Sequence, residues 1–362
     1  MRIAYVTIHI APELMQGGVG KKIKTQLDLW RKAGHDVTLF SLTPAEIPFP
    51  AERQFVFDAK TNLLKREANR ASGLMRMLES IRLYKPDVIY LRFGLYSYPL
   101  HKLFKIAPVV LEVNSDDRVE YSIRGKFFYW MNRLTRGLTF APASGVVAPT
   151  RELTGIYPLK KNQLSAVISN GVDVNSVEIL PPPKNDKPVL TLVGSPGMNW
   201  HGMDKLIQFA QTNPDIFVNI VGYSAKDVDV PIPPNVTMHG YLSYTQIREV
   251  FMQTDVACGT LALYRKNMRE ACPLKVREAV LYGLPLLLGY HDTDLSDLDL
   301  PTILQIPNTE DNLVTHAEQI RKFAFAMMGQ RLDFNAVAPH LDQRKKEEAR
   351  LAFIETVCAG KK

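Results

Sequence analysis

The fold of this chain is decided by its first forty residues, in which the apolar runs RIAYVTI (residues 2–8) and DVTLF (residues 36–40) flank a helical stretch. Both runs are rich in β-branched residues, which is typical of buried strands. Between them, Ile23, Leu27 and Trp30 recur on one face of a helix. This order of strand, helix and strand predicts a βαβ unit with a parallel sheet.

The alternation of strand and helix patterns continues along the chain and restarts once near its middle. Further strands are predicted at residues 87–91, 109–113 and 145–148, and in a second series at 189–194, 217–222, 236–239, 255–259, 284–288 and 302–306. A Pro triplet at residues 181–183, typical of a linker, lies between the two series. We therefore predict an α/β chain of two tandem doubly wound Rossmann-like domains with an interdomain cleft for ligands.

The predicted domain boundaries follow from this restart. An N-terminal domain is expected at residues 1–170 and a C-terminal domain at residues 171–340. The charged segment at residues 341–362 is predicted to form a closing helix that packs back towards the N-terminal domain.

Length and composition exclude several classes of protein. The chain has 362 residues, of which 46% are hydrophobic and 22% charged, as expected for two globular domains rather than a disordered or fibrous chain. No apolar run approaches the roughly 18 residues of a membrane-spanning helix. The first residues enter a strand pattern directly, so no signal peptide is expected. The three cysteines are scattered, which disfavours a disulfide framework or a zinc site and suits a cytoplasmic location.

The net charge of +7 is distributed unevenly between the two halves. Residues 1–170 carry 25 Lys and Arg against 14 Asp and Glu, whereas residues 171–362 carry 19 against 23. Two basic amphipathic segments stand out in the first half, Lys60–Tyr84 and Arg118–Phe140. We expect most aromatic residues of the second segment to pack against the sheet, with contact to an anionic membrane surface as the alternative. No base-stacking motif accompanies the charge, so nucleic acid is not an expected partner.

A glycine-containing loop opens the first helix, where Gly17 and Gly18 would let the backbone approach an anion. A dinucleotide site would also need an acidic residue at the end of the second strand, which ends instead in FSLT (residues 40–43), and no P-loop motif is present. Three cations, Lys21, Lys22 and Lys24, follow at the helix start, where the helix dipole disfavours them by about 0.3–1 kcal/mol. These lysines form either a solvated basic face or part of a site whose bound anion compensates this cost. We name them acceptor-side candidates.

The second half repeats this arrangement in the segment EACPLKVREA at residues 270–279. Pro273 suits the first position of a helix, which leaves free amides immediately after it. Lys275 and Arg277 again place cations at the positive end of a helix, so the segment predicts a diphosphate pocket. Glu278, one turn further, could accept hydrogen bonds from vicinal ribose hydroxyls.

At these residues the sequence resembles the GT-B-fold glycosyltransferases of family 4, which are retaining enzymes that use nucleotide sugars. Glu270 and Glu278 stand with seven residues between them, ahead of AVLYGLP (279–285), as in the paired-glutamate motif of that family. The runs KAGHDV (32–37) and SNGVD (169–173) support the likeness, which extends over essentially the whole chain.

The resemblance implies a role for each matching residue. Glu278 would hold the donor ribose, and Glu270 would contact hydroxyls of the transferred sugar at the catalytic centre. The donor diphosphate would be bound by residues that match the family's diphosphate site or stand in its positions. These residues are Gly17, Gly18, Cys272, Pro273, Leu274, Lys275, Arg277, Ser195 and His201. The family is generally metal-independent and needs no cofactor beyond its nucleotide-sugar donor, so no metal site is expected.

Two departures from the family pattern bear on the chemistry. Ser195 and His201 stand where the family usually has an Arg and a Lys that neutralise the diphosphate, so Lys275, with Arg277 or Lys205, would have to supply the charge. The alternatives are impaired donor binding and a Lys275 that is only a solvated surface cation.

The second departure places Asn114 where members often carry a His near the reacting centre. Asn can donate or accept a hydrogen bond but cannot shuttle protons, and we name it with Glu270 as a catalytic candidate. A buried strand-packing role for the neighbouring Glu112 is not expected, whereas Ser115 or Asp116 is expected to cap a helix.

The resemblance implies a retaining glycosyltransferase that takes a sugar from a nucleoside-diphosphate sugar and passes it to a glycan, glycolipid or lipid-linked acceptor. The basic first domain leads us to expect an anionic or lipid-phosphate-linked acceptor, as in cell-surface polysaccharide biosynthesis. A cytoplasmic enzyme that is peripheral at the inner face of the membrane would fit the basic first domain. Two alternatives remain open, a nucleotide-sugar epimerase on the same fold and a non-catalytic relative that binds a nucleotide sugar.

Overall fold

The computed structural model describes residues 1–8, 18–46, 53–157, 159–160 and 163–360. The chain divides into two compact units, the first made of residues 1–168 with 344–362 and the second of residues 169–343. The first unit therefore includes almost all of the segment that the sequence predicts as a closing helix. No helix of the described residues is both long and apolar enough to cross a membrane.

The first unit contains a parallel sheet of seven strands in the order β3-β2-β1-β4-β5-β6-β7. Its strands are β1 (Arg2–Ile8), β2 (Asp36–Thr43), β3 (Arg53–Val56), β4 (Val88–Arg92), β5 (Val109–Glu112), β6 (Gly145–Ala148) and β7 (Leu164–Val167). The strand order reverses on either side of β1, and a reversal of this kind creates the crevice at the carboxyl ends of the strands in which doubly wound domains bind ligands.

Helices flank this sheet and complete the core of the first unit. They are α1 (Gly18–Lys32), α2 (Leu63–Tyr84), α3 (Asp117–Arg124), α4 (Lys126–Thr135), α5 (Gly137–Phe140), α6 (Arg151–Ile156) and α13 (Gln343–Ala359), the last of which starts one residue before the unit's second segment. Leu351 and Ile354 of α13 pack with Ile3, Tyr5 and Trp30 in one buried cluster. The C-terminal helix is therefore part of the core of the first unit.

The second unit repeats the architecture with a parallel sheet of six strands in the order β10-β9-β8-β11-β13-β15. Its strands are β8 (Val189–Val193), β9 (Phe217–Val221), β10 (Val236–Gly240), β11 (Val256–Cys258), β13 (Leu286–Leu288) and β15 (Ile303–Gln305), and β12 (Glu270–Ala271) pairs separately with β14 (His291–Asp292). Its helices are α7 (Met203–Thr212), α8 (Tyr244–Met252), α9 (Leu274–Leu281), α10 (Asn312–Thr315), α11 (Ala317–Ala326) and α12 (Phe334–Leu341).

The predicted α/β fold with two Rossmann-like domains is confirmed, and every strand predicted from an apolar run is present within a few residues. Sequence reasoning missed β3 and β7, which form the two edges of the first sheet. Their side chains are mostly exposed or half-buried. An edge strand with little burial lacks the apolar pattern by which a central strand is recognised.

The segment at the start of the second unit is held in place by close backbone packing. Val172 donates its backbone amide to Leu341 and accepts one from Gln343. A Cβ on Gly171 would lie 2.6 Å from the Cα of Gln343, so only glycine fits there. This packing fixes the backbone next to Asn170, which supports the candidate site described below.

Candidate active site

In the second unit, helix α9 starts directly after β12 and the loop that contains Cys272 and Pro273. Pro273 is the N-cap residue, one position earlier than the sequence predicted, and its carbonyl accepts the amides of Val276 and Arg277. Within the described residues no acceptor takes the amides of Leu274 and Lys275. These two donors at the positive end of a helix are suited to an anionic group.

The loop ahead of α9 is fixed by Asn170, which lies at the start of the second unit. The side-chain amide of Asn170 donates to the carbonyl oxygen of Cys272 at 2.8 Å, and its backbone amide donates to the Cys272 sulfur at 3.3 Å. Cys272 is buried, so it supports the turn from inside the unit. The predicted contact of this residue with a diphosphate can therefore involve only its backbone.

Lys275 is partly buried and does not point freely into solvent. Its Nζ donates to the carbonyl oxygen of Val193, at the end of β8, over 2.8 Å. Burial lowers the pKa of this ammonium group to about 7. Lys275 therefore joins the N-terminus of α9 to the end of β8, which contradicts the alternative that it is only a solvated surface cation.

Arg277, by contrast, is fully buried in an ion-pair cluster. Its guanidinium donates to both oxygens of Asp292 at 2.7 and 2.8 Å, to Asp294 at 2.7 Å and to the carbonyl of Asn170 at 3.2 Å. The surrounding carboxylates raise its pKa against the cost of burial. The predicted contact of Arg277 with the diphosphate does not fit this arrangement, in which the side chain braces the loops beneath α9.

The two residues at the family's Arg and Lys positions differ in exposure. Ser195 is exposed, whereas His201 is buried, with 8% of its surface accessible. The hydroxyl of Tyr223 lies 2.8 Å from His201 Nδ1. Burial and then the nearby charge of Lys275 lower the pKa of His201 to about 2, so the ring is neutral at physiological pH. His201 is thus a neutral, buried residue that holds the loop after β8, and it does not replace the positive charge that the family's Lys supplies at this position.

Lys205 is likewise committed to the interior of the second unit. Its Nζ donates to the carbonyl oxygens of Leu261 and Thr309 at 3.1 and 2.8 Å. The side chain is 5% exposed, and burial lowers its pKa to about 8. Of the cations considered from the sequence in this unit, Lys275 is the one placed beside free helix amides.

Glu278 lies one turn further along α9, beside aromatic side chains that the sequence analysis did not select. Burial and then the charge of Glu278 raise the pKa of the Tyr244 hydroxyl. The pKa of Tyr282 is raised by burial, then by the charge of Glu178 and then by that of Glu278. Tyr241, which is 92% exposed, follows the carboxyl end of β10. A carboxylate beside exposed aromatic rings can bind a group with vicinal hydroxyls and a flat ring.

Glu270 is held at the start of this segment by a short parallel pairing. It lies opposite His291 in the β12–β14 ladder, and the amide of His291 donates to the carbonyl of Arg269. The pairing fixes the backbone of Glu270, which lies four residues before the start of α9. No cluster of three metal-ligating side chains occurs in the residues that the structure describes.

In the first unit, the three lysines at the start of α1 have different surroundings. Lys24 is exposed and pairs with Asp28 one turn away, and Lys21 is also exposed. Lys22 is 9% exposed, and its Nζ lies 2.9 Å from Glu112 Oε1 and donates to Asn114 Oδ1 at 3.0 Å. A carboxylate of the protein therefore compensates Lys22, so the bound anion that the sequence suggested is not needed there. Gly18 is the first residue of α1, and Gly17 lies outside the described residues.

Glu112 is fully buried at the end of β5, contrary to the sequence expectation. Besides Lys22 it binds Arg92 at 3.0 Å, and Arg350 of α13 lies 3.8 Å from it. Although burial alone would raise the pKa of Glu112, these three cations hold it well below its usual range. Asp116 caps α3 by accepting the amide of Arg118, which agrees with the expected cap.

Part of the chain is similar in sequence to a known family. Residues 16–176 match the family model described as Glycosyltransferase Family 4. No curated protein matches the chain in sequence. The chain is a glycosyltransferase of the GT-B type.

Solved structures of glycosyltransferases share the fold over their full length. A glycosyltransferase from Rickettsia africae ESF-5 has a TM-score of 0.66 at 13% identity, with 98% of each chain covered. Sucrose-phosphate synthase from Thermosynechococcus elongatus has a TM-score of 0.63 at 13% identity, with 99% of this chain and 97% of that chain covered. HepE from Anabaena in complex with UDP-glucose has a TM-score of 0.62 at 15% identity, with 99% and 100% covered. At these identities the likeness establishes the fold.

Within the glycosyltransferase, the structure brings together part of the predicted donor site. The start of α9, Lys275 and the Ser195–His201 loop are neighbours in the second unit, since Lys275 binds the end of β8 and its charge acts on His201. Glu278 lies one turn further along α9, and its charge acts on Tyr244 of α8. Tyr241 and Tyr244 could have been found from their position, because they lie within four residues of the carboxyl end of the parallel strand β10.

Proposed function

We propose that this glycosyltransferase is a retaining enzyme that transfers a sugar from a nucleoside-diphosphate sugar to a glycan, glycolipid or lipid-linked acceptor in cell-surface polysaccharide biosynthesis. The observation that carries the proposal is the start of α9, where two free amides and the Lys275 ammonium lie within one turn of Glu278. Amides at a helix N-terminus and an ammonium group match a diphosphate, and a carboxylate matches ribose hydroxyls.

The donor site is proposed to work by positioning and electrostatics. The amides of Leu274 and Lys275 and the Lys275 ammonium stabilise the charge on the diphosphate as it leaves. Glu278 holds the ribose, and Tyr244 offers an aromatic surface for the base beside it. Glu270 contacts hydroxyls of the transferred sugar, as the family resemblance implies.

The proposed reaction proceeds with retention at the anomeric carbon. The bond between that carbon and the diphosphate oxygen breaks, while the acceptor oxygen forms its bond on the same face of the sugar. The proton of the acceptor hydroxyl passes to the leaving phosphate oxygen, so no protein base is required. The enzyme contributes orientation of the two substrates and stabilisation of the departing diphosphate.

A screen of donors by thermal shift tests the proposal first. UDP-, GDP-, ADP- and TDP-sugars are compared, starting with UDP-glucose because HepE is described in complex with it. We expect one nucleotide class to raise the unfolding temperature. The Glu278→Ala variant should lose this stabilisation, whereas Glu249→Ala, an exposed glutamate on α8, should keep it. Equal stabilisation of the wild type and Glu278→Ala would reject the ribose assignment.

A turnover experiment separates the proposal from its two alternatives. Release of free nucleoside diphosphate only when an acceptor extract is added would establish transfer. Interconversion of two nucleotide sugars without acceptor would establish an epimerase, and donor binding without either product would establish a binding protein. Asn114 disfavours the epimerase, because an amide cannot exchange protons with the sugar. We also propose that transfer needs no added metal, so activity should survive EDTA.

The first unit carries a surface suited to an acceptor at a membrane. On α4, Phe127, Trp130 and Leu134 form one stripe at helical spacing and are 65%, 56% and 78% exposed. The expectation that most aromatics of this segment pack against the sheet is therefore wrong. Arg124 and Lys126 flank the stripe. We propose that this aromatic and basic surface binds anionic lipid headgroups, which places the enzyme at the cytoplasmic face of the membrane.

Vesicle sedimentation tests the membrane part separately. The protein should sediment with vesicles that contain anionic phospholipid, and high salt should weaken the binding. A triple variant with Ser at positions 127, 130 and 134 should lose binding. Leu64→Ser removes a side chain that is 83% exposed on α2 and should leave the binding unchanged. Indifference to anionic lipid and to salt would reject the membrane proposal and leave the donor proposal intact.

A further inference from the structure

An open cavity of about 380 Å³ lies on the first unit, beside helices α3, α4 and α5. Its volume is in the range of small-ligand sites. Arg118, Arg133 and Arg136 line it, and the described residues of its lining include no acidic side chain. A concave surface with this charge is suited to an anion.

The polar lining is one face of a helical segment. The residues at positions 129, 132, 133 and 136 are Tyr, Asn, Arg and Arg, and this spacing places them on the same side of α4 and its immediate continuation. That face adjoins the stripe of exposed apolar side chains on α4, because Leu134 belongs to the stripe and also lines the cavity. A ligand in the cavity is therefore next to an exposed apolar surface.

Two of the three arginines are anchored by buried carboxylates. Arg118 donates from Nε and Nη2 to Asp116, over 3.1 and 2.9 Å. Arg136 donates from the same two nitrogens to Asp117, each over 2.9 Å. Asp116 and Asp117 are 0% and 2% exposed. A guanidinium group has five N–H donors in a rigid fork, so each arginine keeps its Nη1 donors, for which the described residues offer no acceptor.

The third arginine gives the cavity its excess of positive charge. Arg133 is exposed and, in the part of the chain that the structure describes, has no ion-pair partner. Asn132, beside it on α4, donates its amide nitrogen to Asp117 at 2.6 Å and so supports the anchor of Arg136. Three guanidinium groups thus face two carboxylates, which leaves one positive charge and several N–H donors for a ligand.

We propose that this cavity binds the phosphate group of a lipid headgroup. Arginine forks pair with phosphate oxygens two at a time, and a phosphate offers more acceptor oxygens than a carboxylate, so three guanidinium groups suit it better. The lipid source follows from Leu134, because a headgroup in the cavity leaves its chains beside the apolar stripe. The inference rests on the proposed membrane contact and adds to it a site that selects phosphate rather than negative charge alone.

Vesicle sedimentation with two matched kinds of vesicle tests this selectivity. Both kinds contain phosphatidylcholine and have the same surface potential, which is set by phosphatidic acid in one and by cholesterol hemisuccinate, a carboxylate, in the other. We expect the wild type to bind the phosphatidic acid vesicles about tenfold more tightly, the worth of one charge-assisted hydrogen bond. The matched potential removes the contribution of charge alone.

Two variants and two controls assign the preference to the cavity. Arg133→Gln removes the exposed guanidinium, and Gly137→Glu adds a carboxylate where a Cβ meets no atom within 4 Å. Both variants should fold normally and bind the two kinds of vesicle equally. Arg151→Gln and Gly155→Glu change an exposed arginine and an equally unobstructed glycine on α6, outside the described lining, and should keep the tenfold preference.

Calorimetry with glycerol 3-phosphate separates a lipid from a soluble phosphate ester. This compound carries the phosphate without acyl chains, so we expect it to bind at least about tenfold more weakly than phosphatidic acid in vesicles. Lys275→Met should leave its affinity unchanged, which excludes binding at the proposed donor site. A soluble ester that binds as tightly as the lipid, and more weakly to Arg133→Gln, would overturn the lipid source.

The outcomes distinguish this inference from the proposed function. Binding to neither kind of vesicle would contradict the proposed membrane contact, and the inference with it. Equal binding of the wild type to both kinds, or a preference that Arg133→Gln and Gly137→Glu leave unchanged, overturns the phosphate site alone. Neither result bears on the donor proposal, which concerns residues of the second unit.

Discussion

The starts of helices α1 and α9 look alike in sequence but differ in how their lysines are compensated. Lys22 of α1 reaches Glu112, a buried carboxylate of the same unit. Within the described residues, the Lys275 ammonium of α9 reaches only the carbonyl oxygen of Val193, and it lies beside the amides of Leu274 and Lys275, which have no acceptor there. The first helix start is thus neutralised by the protein, whereas the second retains positive charge that a ligand could neutralise. A cation at a helix N-terminus is therefore not sufficient evidence for an anion site.

The largest effect should come from removing the internal anion of the first unit. Glu112→Gln leaves Lys22, Arg92 and Arg350 close together without their shared carboxylate, and we expect a loss of about 3–5 kcal/mol in the free energy of unfolding. Urea denaturation measures it. Glu120→Gln, which disrupts a surface pair with Arg124, is the control and should cost less than about 1 kcal/mol. Similar small losses in both variants would mean that the buried network does not stabilise α1.

Removing the uncompensated cation of α9 should have the opposite effect on stability. Lys275→Met should raise the free energy of unfolding at pH 7 by on the order of 2 kcal/mol, after allowance for partial exposure, because it removes a buried ammonium. The folded pKa of about 7 lies below the usual value of 10.5. The wild-type penalty is therefore complete below pH 7 and disappears as the pH rises towards 10.

Thermal unfolding of the wild type and Lys275→Met from pH 6 to pH 10 checks this dependence, and the two curves should converge at high pH. The same variant should weaken nucleoside diphosphate far more than nucleoside. A destabilised variant with unchanged nucleotide affinity would show that the cation serves the fold and not a ligand.

We expect a smaller effect on the free energy of unfolding from the titration of His201 than from that of Lys275. The folded pKa of His201 is about 2, far below the ordinary 6.5, so the unfolded chain binds more protons between these values. Stability should therefore fall as the pH drops below 6.5, by about 1–2 kcal/mol at pH 5. His201→Gln, which can still accept the Tyr223 hydroxyl, should show a shallower decline between pH 7 and pH 5 in urea denaturation. An unchanged decline would mean that His201 is not the buried neutral ring described above.

The smallest effect is expected at the exposed lysine of α1. Lys24 pairs with Asp28 on the surface at 2.7 Å, and Asp28→Asn should change the free energy of unfolding by no more than about 0.5 kcal/mol. Denaturation at low and at high salt measures it, and any difference should vanish at high salt. A loss comparable to that of Glu112→Gln would remove the distinction between the exposed and the buried lysines of this helix.

Local patterns predicted most of the fold and part of the candidate site. The central strands can be recognised because each is a short apolar run. The motif formed by Glu270 and Glu278 can be recognised from the seven residues that separate them. The edge strands β3 and β7 escaped because half of their surface faces solvent. The exposure of Phe127 and Trp130 could not be predicted, because their spacing indicates one face of a helix but not whether that face is buried or faces solvent.

Local patterns alone therefore predict two parallel-sheet domains and the helix start that carries Lys275 and Glu278. These depend on periodicity and spacing within about twenty residues. Three further features become visible only in the folded chain: Arg277 and His201 are buried, Glu112 neutralises Lys22, and the same lysine binds Asn114. The reason is that charge pairs and burial join residues that lie far apart in the chain, as Arg350 and Glu112 do, and no local pattern records which partner a buried charge will have.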